Sequence, residues 1–182
     1  VFDTALRHNN AESSYIFLHA AVGIFKKKRI KNPAASRYWG YGREIMESML
    51  SSISNADLGK SVDRVFVTLL GNDQDRALAI KTIQSFNSTC PDLVTTRDSR
   101  LQGKLFVAME SSDLYVAEFP TMTAIKSFAG KAHRLSKILY IHTKGMRNAG
   151  TYSKDWREYM MYYLVERAEI CMTAISPPSS SS

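Results

Sequence analysis

No apolar run in this chain approaches the ~18 residues that a bilayer-spanning helix requires, so nothing in it reads as a membrane span. Only two cysteines occur, Cys90 and Cys171, without metal-ligand spacing, and both read as free thiols. Five prolines and nine glycines in 182 residues exclude a collagenous or low-complexity chain. Acidic residues are in deficit: Asp+Glu 17 against Lys+Arg 24 leaves a net charge of +7. That balance favours an anionic partner without choosing among phosphate, nucleic acid and membrane surface. Common enzyme signatures are missing too: there is no Walker loop, G-x-G-x-x-G, H-E-x-x-H, G-x-S-x-G or paired-cysteine motif. Asp73-Gln74-Asp75 has the letters of a divalent-metal motif, but it opens a helix after the second strand, so a divalent metal is not supported.

What remains is an ordinary globular composition, 45% hydrophobic and 23% charged. The length suits a single domain with its own core. We divide the chain into a loose polar arm (1–13), one α/β domain (14–175) and a Ser/Pro tail (176–182). Val1 and the polar tail suggest a piece of a longer protein.

Tyr15 to Val22 is a short, almost unbroken apolar run, the pattern of a strand covered on both faces. Lys26 to Lys31 puts five cations in six positions, a solvated block lacking the interleaved aromatics of a nucleic-acid surface. From Tyr41 to Asn55, Ile45, Met49 and Ile53 recur every fourth residue beside Met46 and Leu50, which predicts an amphipathic helix. Arg64 to Leu70 reads as a second strand, stopped by Gly71-Asn72-Asp73. Asn72 or Asp73 would cap a helix with Ala79, Ile80, Ile83 and Phe86 inward. Asp92 to Thr96 reads as a weak strand, 97–112 as a long excursion with a short helix near Phe106, and Leu114 to Ala117 as a strand. Pro120 then fits the first turn of a helix carrying Met122, Ile125 and Phe128, ended by Gly130. Lys137 to Ile141 is the clearest strand. A final helix would take Ser153 as N-cap, with Asp155 in its first turn and an inward stripe of Trp156, Met160, Tyr163, Leu164, Arg167, Cys171 and Ala174. Alternating strands and helices predict an α/β fold with a mostly parallel sheet between helices, Rossmann-like in architecture.

In such sheets, ligands bind beyond the carboxyl ends of the strands. That rule gathers Gly71 and Asn72 with His142, Thr143, Lys144, Gly145 and Arg147 as candidate ligand-binding residues. A lysine, a hydroxyl, an imidazole and a glycine that lets backbone N–H groups approach an anion would suit a pyrophosphate. His19, mid-strand, reads as a hydrogen-bonded core residue. Glu118 and Asp155 are candidate bases, each also explicable as a carboxylate at a helix N-terminus. The single Asn-x-Ser/Thr triplet, Asn87-Ser88-Thr89, is expected by chance and leaves the compartment open.

Three segments together resemble a family of glycosyltransferase-like proteins of the nucleotide-sugar-transferase fold. They are Glu118-Phe119-Pro120-Thr121, Ile138-Leu139-Tyr140-Ile141-His142-Thr143-Lys144-Gly145, and Asp155-Trp156-Arg157 leading to Cys171. The dense match spans Glu118 to Cys171, under a third of the chain. The resemblance places His142, Thr143, Lys144, Gly145, Asp155, Trp156 and Arg157 in the family signature. It implies a nucleotide-sugar donor, a glycan or protein acceptor and, for a true glycosyltransferase, the secretory-pathway lumen. The family's Gly-Asn-Phe-Trp-Trp segment is absent here.

The leading expectation is therefore a domain that binds a nucleotide-sugar diphosphate at the strand ends and transfers the sugar to an acceptor. Lys144 and Arg147 would stabilise the leaving diphosphate, and Glu118 or Asp155 would act as base. Its rivals are a non-catalytic scaffold subunit of a larger assembly that keeps the fold, and a basic nucleic-acid-binding module; the latter rests on net charge and the Lys26 block alone.

Overall fold

A computed structural model of the chain describes residues 13–22, 41–88, 100–132, 136–143 and 151–175. Strand β1 (Ser14–Ala21) is followed by helices α1 (Tyr41–Asn55) and α2 (Asp57–Ser61) and by β2 (Arg64–Leu70). Then come α3 (Asp73–Asn87), β3 (Leu105–Ser111), a 3-10 turn at Leu114–Val116, and α4 (Phe119–Ala129). β4 (Lys137–His142) and α5 (Thr151–Met161) lead through a π-helical turn at Tyr162–Glu166 into α6 (Ala168–Ala174). The four strands form one sheet in the order β3-β2-β1-β4, and every neighbouring pair is parallel. The fold is α/β and Rossmann-like, as the alternation of elements predicts.

Strand order steps outward from β1 to β2 to β3 and then jumps back across β1 to β4. Because parallel crossovers are right-handed, that reversal sends the connecting helix to the opposite face of the sheet. Two separate cores result. Ile16, Leu18, Ala20, Val65, Val67, Leu69 and Ile141 point to one face, covered by α1, α2, α3 and the segment holding Met161, Val165 and Ala168. Tyr15, Phe17 and Phe66 point to the other face, where they meet Ala124 and Phe128 of α4. The five residues assigned to the inward side of α1 are all buried, as are Ala79, Ile83 and Phe86 of α3. Gly59 has no room for a side chain: a Cβ there would collide with the carbonyl oxygen of Ile53 at the end of α1.

Four sequence expectations are corrected. Phe106 lies in strand β3, in the region read as an excursion with a short helix. This is an edge strand whose Met109 and Glu110 are exposed, and a bulge at Ala108 breaks its alternation, so its apolar run from Leu105 to Met109 lacks the two-residue period of a half-buried strand. Leu114 to Val116 is a 3-10 turn rather than a strand. α5 begins at Thr151, so Ser153 is inside the helix and Asp155 falls in the second turn. The inward stripe of the C-terminal helix is also shifted: Met161, Val165 and Ala168 are buried, whereas Trp156, Tyr163, Arg167, Cys171 and Ala174 are exposed. The offset of one residue is already present at Trp156 and Met161, before the π-helical turn, and Met161, Val165 and Ala168 keep helical spacing through it. The expected strand at Asp92–Thr96 and the Ser/Pro tail lie outside the described residues, as does the arm apart from Ser13. The carbonyl of Ser13 accepts a 2.8 Å bond from the Lys137 amide.

Candidate functional site

The strand order reverses between β1 and β4, which makes the carboxyl ends of those two strands the switch point where ligands of open α/β sheets bind. Their register sets His19 beside His142, and on the other side of β1 it sets His19 beside Thr68. Side chains alternate along a strand, so these three share the face that carries α4. One step back on that face lies a row of rings, Phe106, Phe66, Phe17 and Tyr140. The second core thus changes abruptly from aromatic to polar at the strand ends.

Helix α4 closes over that polar row. His19 Nδ1 and Thr121 Oγ1 are 2.8 Å apart, with both residues buried. Burial dominates the His19 environment and lowers its pKa from 6.5 to about 4, with Glu118 opposing and His142 adding to the shift. His19 is therefore neutral near pH 7. Glu118 stands at the N-cap position of α4, yet its side chain makes no capping bond. Instead its Oε1 is 3.3 Å from His142 Nδ1. The His142 ring stacks on Tyr140 at 5.8 Å between centroids and 12° between planes. Burial first, and then the Glu118 carboxylate, hold the Tyr140 phenol well above its ordinary range. The hydroxyl approaches that carboxylate without a hydrogen bond of full geometric quality.

The loop that aims Glu118 is itself unusual. Ala117 has φ 47° and ψ −129°, and Glu118 follows at φ −83° and ψ −6°. These angles match the two central positions of a type II′ turn, about (+60°, −120°) and (−80°, 0°), the first of which normally requires glycine. A non-glycine residue held at positive φ costs about 1–3 kcal/mol and persists where surrounding structure imposes it.

The structure brings some of the expected residues together and leaves others apart. His142, Thr143 and Glu118 meet at the switch point. Thr143 stitches the strand ends: its amide donates to the His19 carbonyl at 2.9 Å, and its Oγ1 accepts from the Ala21 amide at 3.1 Å. Lys144, Gly145 and Arg147 lie outside the described residues. Gly71 and Asn72 follow β2, away from the reversal, and have structural partners. Asn72 Oδ1 caps α3 by accepting from the Asp75 amide at 2.8 Å, and the Gly71 carbonyl accepts from the Arg76 guanidinium. Asp73 pairs with Arg76 at 2.6 Å, and among the described residues no group of three His, Cys, Asp or Glu side chains could hold a metal. Asp155 is exposed on α5, which continues into the core of the opposite face, so it does not join Glu118. Asn87 of the Asn-x-Thr triplet clamps the start of β3, with its side-chain amide donating to the Leu105 carbonyl at 2.8 Å and accepting from the Leu105 amide at 3.2 Å.

Sequence reasoning missed Thr121 and Tyr140 as site residues and placed His19 only in the core. Their joint signal is parity: Tyr140 and His142 are two apart on β4, and His19 falls beside His142 once the two strands pair in parallel. A cavity of about 340 Å³ lies elsewhere, between α1 and α5, lined among others by Glu44, Met49, Arg157 and Met161. Among the described residues, no helix is long and apolar enough to cross a membrane. In comparisons with known proteins, no family model, curated protein or solved structure matches this chain.

Proposed function

We propose that this domain binds a nucleotide-sugar diphosphate at the β1/β4 switch point and transfers the sugar to an acceptor hydroxyl. The observation that carries the reading is the coincidence of two features at one place. The reversal of strand order, where open α/β sheets take nucleotides, falls where Glu118 and His142 converge. The segment that follows β4 in sequence supplies Lys144, Gly145 and Arg147, cations and a glycine suited to a diphosphate. Charge develops on the leaving phosphate oxygens as the glycosidic bond breaks, and fixed cations there lower the barrier. The resemblance of the H-T-K-G and D-W-R segments to glycosyltransferase-like proteins adds the choice of a sugar nucleotide over other nucleotides.

The test is a thermal-shift series with UDP, GDP, CMP and their sugar conjugates, with and without Mn²⁺. A ligand that binds only the folded chain raises Tm in proportion to the logarithm of its concentration over Kd. One nucleotide series should stabilise the chain, and Lys144→Ala should weaken that binding by more than tenfold, about 1.4 kcal/mol, with the fold unchanged. Silence across the panel rejects the donor site in favour of a scaffold that keeps the fold without the chemistry.

A further inference from the structure

We infer that His142 is the proton acceptor of this site and that Glu118 is a positioning residue acting through it, held in place by the turn at Ala117. The substrate named below rests on the transferase reading; the pairing of the two side chains does not. Sequence reasoning gave the base role to Glu118 and ligand binding to His142, and the geometry points to the reverse.

Four observations carry the reversal. Glu118 leaves the N–H groups of its own helix without a side-chain cap and faces His142 Nδ1 at 3.3 Å instead. A carboxylate at Nδ1 favours the tautomer with hydrogen on that nitrogen and leaves Nε2 as the basic atom. The ring is held rather than mobile: it stacks on Tyr140, whose position is fixed by pairing with Phe17 in the sheet. Neither His19 nor Tyr140 competes for the proton. His19 is neutral because of its burial and is occupied with Thr121, and Tyr140 keeps its phenolic hydrogen. His142 retains 21% side-chain exposure, enough to meet a ligand at the strand end. The strained backbone at Ala117 fits the same account, since it sets the direction from which Glu118 reaches the imidazole.

In the transfer step, the acceptor hydroxyl gives its proton to His142 Nε2 while its oxygen bonds to the anomeric carbon. The bond from that carbon to the phosphate oxygen breaks, and its electron pair leaves with the nucleoside diphosphate. The imidazolium formed is stabilised by the Glu118 carboxylate, and returns its proton to water.

Nitrogen-15 NMR of the full chain reads the tautomer and titration midpoint of His142 without any substrate. The wild type should show the Nδ1–H form of neutral His142. Glu118→Gln should shift the population toward Nε2–H and lower the midpoint by roughly half a pH unit or more, because an opposite charge beside the ring is removed. Glu118→Asp should restore part of the change. A wild-type Nε2–H tautomer, or a midpoint unmoved by Glu118→Gln, overturns the pairing whatever nucleotides bind. The second measurement is cleavage of the sugar nucleotide giving the largest thermal shift. His142→Ala should slow it by about 100-fold or more and Glu118→Gln by at least about tenfold, with the thermal shift retained. The acid limb of the wild-type rate profile should follow the NMR midpoint. Full cleavage by His142→Ala overturns the base assignment. Absence of nucleotide binding rejects the transferase reading and with it the substrate step, while the NMR result still decides the pairing.

Discussion

The two faces of the sheet are built on opposite plans. One is covered by α1, α2, α3 and the π-turn segment, and its contacts are mostly aliphatic, with Phe86 among them, and spread over many residues. Among the described residues the other is covered by α4 alone, and its core is a knot of rings around Phe128, which meets Tyr15 at 4.6 Å and both Phe17 and Phe66 at 5.4 Å. A broad aliphatic layer can lose a side chain and close part of the gap. A single helix held by one ring cluster has few alternatives. The difference also bears on the polar site: His19, His142 and Glu118 meet at strand ends on the face that α4 covers.

The sharpest way to break this comparison is to remove the centre of the ring cluster. Phe128→Ala should cost about 3–5 kcal/mol in urea denaturation and should disturb the His19–Thr121 contact as α4 loosens. Leu50→Ala, equally buried on the aliphatic face, should cost about 2–5 kcal/mol and leave the histidine resonances in place. If Leu50→Ala perturbs His19 as strongly as Phe128→Ala does, the two faces are not independent.

Acid should separate the faces next. His19 titrates at about 4 in the folded chain and near 6.5 when exposed, so between those values the unfolded chain binds the extra proton. This contribution to stability is complete above about pH 6.5 and declines as pH falls towards 4. His19→Gln should flatten the fall in Tm across that window, with the aliphatic face as unaffected background. A Tm profile with the same slope in both proteins would show that His19 does not drive it.

Much of this fold is written in local pattern, and the site only in part. β1 and β2 are central strands, covered on both faces, so each carries an apolar run that needs no partner to be recognised. α1 shows its inward side as a four-residue repeat for the same reason. β3 has an apolar run too, Leu105 to Met109, but its bulge removes the two-residue period, and the run alone does not tell strand from helix. The C-terminal helix carries large rings away from the core as well, with Trp156, Tyr159, Tyr162 and Tyr163 exposed, so spacing alone does not fix which side faces inward. At the site, His142 and Glu118 stand out singly as residues at a strand end and a helix start. Their pairing depends on α4 crossing to the opposite face and on the β1/β4 register, both long-range facts. Asn72 illustrates the converse, since a residue at a strand end also has a structural role, capping the helix that follows.

The smallest effect is the most specific to the site. Ala117 holds φ 47° with an exposed side chain, so removing its Cβ relieves backbone strain without opening a cavity. Glycine also enlarges the freedom of the unfolded chain, which opposes the gain. The net change in stability for Ala117→Gly should be within about 1 kcal/mol, favourable if the strain term is the larger. Stability alone is therefore a weak readout, and the tautomer of His142 is the better one. If the turn fixes where Glu118 reaches the ring, glycine keeps the same turn and the Nδ1–H form persists. Ala117→Val should act differently, because a β-branched side chain tolerates positive φ poorly and will drive the turn towards another geometry. The expected result is a partial return to the Nε2–H form in Ala117→Val with the aliphatic face unchanged. An unaltered tautomer in that variant would mean that α4 packing, and not the turn, directs Glu118.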